Sequence, residues 1–191
     1  MLIVQEHSSP KYSPRTYYNA KRAHLTLAIA ADLNTAGERC TKNAAGDNYI
    51  SFKYTHALDP IQAARKLWLF CNKPPYKGVY LALNIAGNGI YAFKKHGVTQ
   101  HQLNSFLIQM LGVFHNHRKI SKIYSGGQTG MDMAGAVCAS YLNIPAEITL
   151  PKGYIQRYED GIDVPKSKQF IIDSIEEQVK YYEENYYNLG R

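Results

Sequence analysis

The sequence predicts an α/β protein, with a parallel sheet and crossover helices preceded by a small N-terminal α/β elaboration. Three observations carry this. Strand-length apolar runs alternate with helix-length amphipathic segments from residue 23 onward. Helix starts recur at capping spacings, Thr35 with Glu38 and Thr99 with Gln102. Finally, 191 residues of which 45% are hydrophobic suffice for one real core, so residues 23–77 and 78–191 are expected in one compact domain.

Residues 1–22, rich in Ser, Pro and charge, read as an extended basic arm carrying Lys11, Arg15, Lys21 and Arg22. AHLTLAIAADL (23–33) reads as a buried strand, and Thr35 starts a short helix that Gly46 ends. NYISFKY alternates Tyr49, Ser51 and Lys53 against Ile50, Phe52 and Tyr54 as a strand does. Asp59 and Pro60 open the next helix, with Ile61, Ala64, Leu67, Trp68 and Cys71 on one face, and NKPPYKG breaks it. Residues 23–77 thus form a strand–helix elaboration.

Residues 78–191 form the ligand-binding core. GVYLALNIAGNGIYAF (78–93) is a strand running into a glycine turn. The following helix carries Leu103, Phe106, Leu107, Met110, Leu111 and Phe114 at i, i+3, i+4, i+7, i+8 and i+11, a core stripe. KIYS is a strand, the helix after it buries Ala134, Val137, Cys138, Tyr141 and Leu142, and AEITL is the next strand. A closing helix over about 167–184 leads into KYYEENYYNLGR, whose tyrosines pack on their own core or stack on a ligand base or a neighbouring subunit.

Cys40, Cys71 and Cys138 have no metal-ligand spacing and are odd in number, which excludes a disulfide framework and a zinc site. His96, His101, His115 and His117 gather around one helix; His115 and His117, near its C-terminal end, complement its dipole rather than hold a metal. No apolar stretch approaches the ~20 residues of a membrane helix, and the first residues are too short a run for a signal peptide, so the expected compartment is the cytoplasm. A net charge of +7 attracts polyanions, but no nucleic-acid recognition motif accompanies it.

In parallel sheets ligands sit beyond the carboxyl ends of the strands. Both glycine turns, NIAGNG and SGGQTG, fall there. In the second, Gly126, Gly127 and Gly130 allow main-chain amides to approach a phosphate at a helix start, with Gln128 and Thr129 adding donors. Asp132, one turn on, can hold a ribose hydroxyl, bind a cation or complement the helix dipole. Lys152 and Arg157, in PKGYIQRYEDG, supply positive charge.

SGGQTGMDMAG, LNIP, PKG and EDG together resemble the SLOG superfamily of Rossmann-like nucleotide-binding proteins, in particular its branch of molybdenum-cofactor-carrier-like and related phage proteins. The resemblance covers residues 78 to about 175. It implies a Rossmann-like core and a second ligand-facing turn, which nominates Asn84, Gly87, Asn88 and Gly89. It also implies a homo-oligomer and a nucleotide-like or molybdopterin-like ligand, with no required cofactor. Cytokinin-activating members carry a glutamate for N-glycosidic hydrolysis where this chain has Met133, with Asp132 one residue early.

The leading expectation is therefore a binding protein that captures a phosphate-bearing small molecule; the phage relatives suggest sequestration of a nucleotide immune signal in the host cytoplasm. The alternatives are an enzyme cleaving a nucleotide or ADP-ribose-like substrate with Asp132 or Glu159, and a nucleic-acid binder. Glu38, Arg39 and Lys42 are expected to cap the pocket, reach a neighbouring subunit or form a solvated helix face.

Overall fold

The computed structural model describes residues 1–186. In chain order its elements are β1 (Leu2–Glu6), α1 (Tyr12–Arg22), β2 (Leu25–Ala30), α2 (Ala36–Ala45), β3 (Tyr49–Lys53), α3 (Pro60–Cys71), β4 (Leu81–Gly87) and α4 (Ile90–Lys94). Then come α5 (Gln100–His117), β5 (Ile120–Ser125), α6 (Met131–Tyr141), β6 (Ala146–Leu150), β7 (Gln156–Arg157), β8 (Asp163–Val164) and α7 (Lys168–Asn185). Six strands form one parallel sheet in the order β1-β6-β5-β4-β2-β3, and β7 with β8 makes a small antiparallel ribbon. The architecture is Rossmann-like, as expected of strands separated by helical crossovers.

The helices divide between the two faces for a reason of handedness. The β1→α1→β2 and β2→α2→β3 connections run toward the β3 edge, whereas those through α3, α5 and α6 run the opposite way. Right-handed crossovers therefore put α1 and α2 on one face and the others on the second. The main helix contacts agree: α1 packs on α2, while α3, α5, α6 and α7 pack in series. Covered on both sides, β2 and β6 are buried along their whole length, which is why they read as unbroken apolar runs.

Most helix boundaries follow their caps. Thr35 accepts from the Glu38 amide, Asp59 from that of Gln62, and Thr99 with Gln102 forms a complete capping box. Every member of the α5 stripe is buried; each such side chain stabilises the core by roughly 1.5–3 kcal/mol. On α3 the buried stripe is Ala63, Ala64, Leu67 and Cys71, so Ile61 and Trp68 lie at its margin, 47% and 40% exposed.

One expectation is corrected. Residues 1–22 are not an extended arm: β1 pairs with β6 as an edge strand, and α1 crosses the sheet against β4, β5 and β6. Residues 23–77 belong to the same sheet as the rest, with β2 lying between β3 and β4. The charges of the expected arm are partly consumed inside the fold, Arg15 on Asp132 and Arg22 on Glu147. Of the C-terminal tyrosines, Tyr182 is buried with its hydroxyl donating to the His101 carbonyl at 2.6 Å, while Tyr187 and the residues after it lie outside the described ones.

Candidate functional site

From β2 the chain turns outward to β3; from β4 it moves the other way, toward β5 and β6. This reversal leaves a crevice between the carboxyl ends of β2 and β4, the usual ligand position in open α/β sheets. A cavity of ≈ 350 Å³ lies there, within the range of small-molecule sites. The cap and start of α2 line it with Thr35, Ala36 and Gly37, and β4 with Asn84, Gly87 and, just beyond, Gly89. Helix α1 crosses above and adds Tyr12, Arg15 and Asn19. Gln128, Asp132 and Arg157 complete the wall.

Six of the twelve residues singled out in the sequence thus meet at one cavity: Asn84, Gly87, Gly89, Gln128, Asp132 and Arg157. The other six do not line it. Asn88 is consumed in structure, its Oδ1 accepting from the Asp32 amide while its Nδ2 donates to the Asp32 carbonyl and to Glu38 Oε1. Thr129 donates to the Arg157 carbonyl, and the Gly127 carbonyl accepts from Gln156. Lys152 is exposed on the loop after β6, its amide donating to the Ser9 carbonyl. Gly126 and Gly130 are buried under close neighbours.

The start of α6 is filled by protein. The Gly130 amide donates to Gln100 Oε1 at 2.6 Å, that of Met131 to the Asn88 carbonyl and that of Met133 to the Gln128 carbonyl. Among the described residues the Asp132 amide in this first helical turn lacks an acceptor, on a residue 5% exposed, and so do the amides of Gly126, Gly127 and Thr129 in the loop before it, none of which lines the cavity. Gly130, at φ 99°, lets this happen because a side chain there would strike the Asn88 carbonyl. Gln128 donates to the Ile155 carbonyl and accepts from the Arg157 amide at 2.7 Å. SGGQTG therefore works mainly as a clamp, drawing the glycine turn after β4 and the β7 strand onto one wall.

Gly126 makes room for a buried ion pair. Arg15 Nη1 lies 2.9 Å from Asp132 Oδ2, and a Cβ at Gly126 would stand 1.5 Å from that nitrogen. Burial pushes the Asp132 carboxyl above its ordinary range, against the opposing pull of Arg15. Arginine cannot shed its proton, so the carboxylate remains its counter-ion near neutral pH. Beside them Glu38 is 2% exposed, and burial, reinforced by the Asp132 charge, pushes its carboxyl up to about 8. Arg15 Nε, both polar atoms of the Asn19 side chain and Glu38 Oε2 are buried with no hydrogen-bond partner among the described residues. Such groups are costly to leave unmet, and Arg15 and Asn19 line the cavity.

Arg157 lines the cavity from β7. Its fork grips both oxygens of Asp163 at 2.8 Å, which holds that carboxyl below its ordinary range. The guanidinium lies 5.3 Å from the Tyr12 ring centre and 5.7 Å from that of Tyr91. Tyr12 in turn donates to Asp163 at 2.6 Å. A flat, partly aromatic surface results, suited to a planar ring.

The start of α2 is different. Thr35 Oγ1 accepts from the Glu38 amide and the Thr35 carbonyl from that of Arg39, but no acceptor among the described residues meets the amides of Ala36 and Gly37. Both residues are exposed and line the cavity. Sequence reading missed Tyr12, Arg15, Asn19 and these two. The first three had a faint signal, Arg15 and Asn19 at helical i, i+4 spacing behind Pro14; the last two had a plain one in the Thr35 cap, which marked a helix start after a buried strand. Glu159, the alternative catalytic carboxylate, is exposed, pairs with Lys94 at 2.5 Å and does not line the cavity.

No protein-family model, curated protein or solved structure matches the chain. The likeness drawn from SGGQTGMDMAG, LNIP, PKG and EDG stands on those residues alone. Among the described residues no group of three or more His, Cys, Asp or Glu could hold a metal ion, and no helix is long and apolar enough to cross a membrane.

Proposed function

We propose that the chain captures a phosphate-bearing, nucleotide-like small molecule in this cavity. The observation that carries the proposal is the meeting in one cavity, at the point where the strand order reverses, of unmet polar groups and an arginine lying against two tyrosine rings. Polar groups suit a sugar and its phosphate, and the arginine and tyrosine rings suit a base. Calorimetry and thermal melting against nucleoside phosphates, cyclic oligonucleotides, ADP-ribose isomers and molybdopterin test it. A ligand at 100 times its Kd adds about 2.7 kcal/mol, which raises the melting temperature by roughly 5–10 °C. Folded protein that gives neither heat nor a shift with any of them contradicts the proposal.

A hydrolytic reading has one observation in its favour: burial and the nearby Asp132 charge push the Glu38 carboxyl up to about 8, an arrangement that separates acid from base, though Glu38 itself does not line the cavity. Chromatography of each binding compound after incubation distinguishes the two. A holding protein returns the compound intact, and a hydrolase returns products that disappear with Asp132→Asn.

A further inference from the structure

We infer that the ligand's phosphate sits on the N-terminus of α2, against the amides of Ala36 and Gly37, and not on the SGGQTG turn; this rests on the proposed capture of a phosphate-bearing molecule. Four observations converge. Helix α2 begins directly beyond β2, one of the two strands that flank the reversal of the sheet, whereas α6 begins one strand further away. The two α2 amides have no acceptor among the described residues and belong to residues that line the cavity. Those of Gly130, Met131 and Met133 are already engaged, and the unmet ones of Gly126, Gly127 and Thr129 lie on residues that do not line it. Ten residues long, α2 presents a full helix dipole to an anion. Beside it Asn19, 1% exposed on the same cavity, leaves both a donor and an acceptor unmet.

The last point identifies the ligand's other end. A hydroxyl both donates and accepts, so one on the carbon frame next to the phosphate satisfies Asn19 on both counts. The arginines favour the same orientation. Arg15 and Arg157 each carry a carboxylate partner, so the uncompensated positive ends in the cavity are the α2 amides. Asp32, just ahead of the helix, turns its carboxylate onto the Asn34 amide. The ligand class is a phosphate ester of a hydroxylated carbon frame, such as a sugar phosphate or a nucleotide.

Residue-resolved amide NMR of the full chain, titrated with inorganic phosphate against chloride at matched ionic strength, tests the seat. The Ala36 and Gly37 signals are expected to move most. Gly37→Asp is the paired variant: the position is open, with nothing nearer to a new Cβ than Thr35 Oγ1 at 3.9 Å. An acid there favours the helix, so the melting temperature holds, while phosphate binding weakens by at least about tenfold. Ribose 5-phosphate is expected to bind wild type more tightly than phosphate does, a difference lost in Asn19→Leu. Shifts centred on Gly126–Gly130 with Gly37→Asp unaffected would overturn the seat and spare the capture proposal. Phosphate that moves no amide around the cavity would overturn both, and a ribose advantage that survives Asn19→Leu would remove Asn19.

Discussion

The starts of α2 and α6 lie at the same edge of the sheet, and both hold glycine. The one with more glycine is the one that is closed. In SGGQTG the glycines let other parts of the protein come close: Arg15 over Gly126, and the Asn88 carbonyl and the Gln100 side chain at Gly130. In the start of α2 the single Gly37 has open space around it and its amide has no acceptor. Dense glycine thus marks tight approach, by a ligand or by the protein itself, and only the hydrogen-bond account of the amides tells which.

The sharpest way to break this comparison is to add one methyl group to each start. Gly126→Ala is expected to cost at least about 4 kcal/mol, because the methyl displaces Arg15 from Asp132 and strands a buried charge. Failure to accumulate folded protein, or a large fall in the denaturation midpoint, would register it. Wild-type stability in this variant would mean that the pair at the α6 start is not as tightly held as described.

Glu38 sharpens the α2 side. Its carboxyl is raised from 4.5 to about 8, so the unfolded chain ionises first as pH rises. Both states are protonated at low pH; stability then falls through roughly pH 5 to 8 at up to about 1.4 kcal/mol per unit and levels off above. Glu38→Gln keeps the acceptor for Asn88 Nδ2 and removes this fall. Urea denaturation is expected to show the variant about 2–4 kcal/mol more stable than wild type near pH 9, and nearly equal near pH 4. Parallel pH profiles would contradict the buried position of Glu38.

Smaller effects follow at Gln100 and Gly37. Gln100 accepts from the Gly130 amide and donates to its carbonyl. Gln100→Ala should cost about 1–3 kcal/mol in the same assay and speed hydrogen exchange at Gly130. Gly37→Ala is expected to stabilise by about 0.5–1 kcal/mol, since the helix loses its most flexible residue and nothing obstructs the methyl. Opposite signs for Ala at positions 37 and 126 would express the contrast between the two starts directly.

Much of the fold was legible because its signals are local. Caps at Thr35, Asp59 and Thr99 depend on residues three apart, and the α5 stripe on helical periodicity. Residues 1–22 were misread because their structure depends on partners far along the chain. Strand β1 is a half-buried edge that needs β6, and α1 starts at Lys11 without a side-chain cap or an acid in its first turn. That misreading hid Tyr12, Arg15 and Asn19 from the site. The motif residues were located correctly at the strand ends, but which amides of the α6 start were left free depends on Gln100 and Asn88, 30 and 42 positions from Gly130 in sequence.

Amide hydrogen exchange, followed residue by residue with and without inorganic phosphate, tests the central claim most directly. Gly130, Met131 and Met133 are expected to exchange slowly in both conditions, and Ala36 and Gly37 to exchange fast alone and slower with phosphate. Fast exchange at Gly130 and Met131 that phosphate suppresses, with Ala36 and Gly37 unchanged, would contradict it.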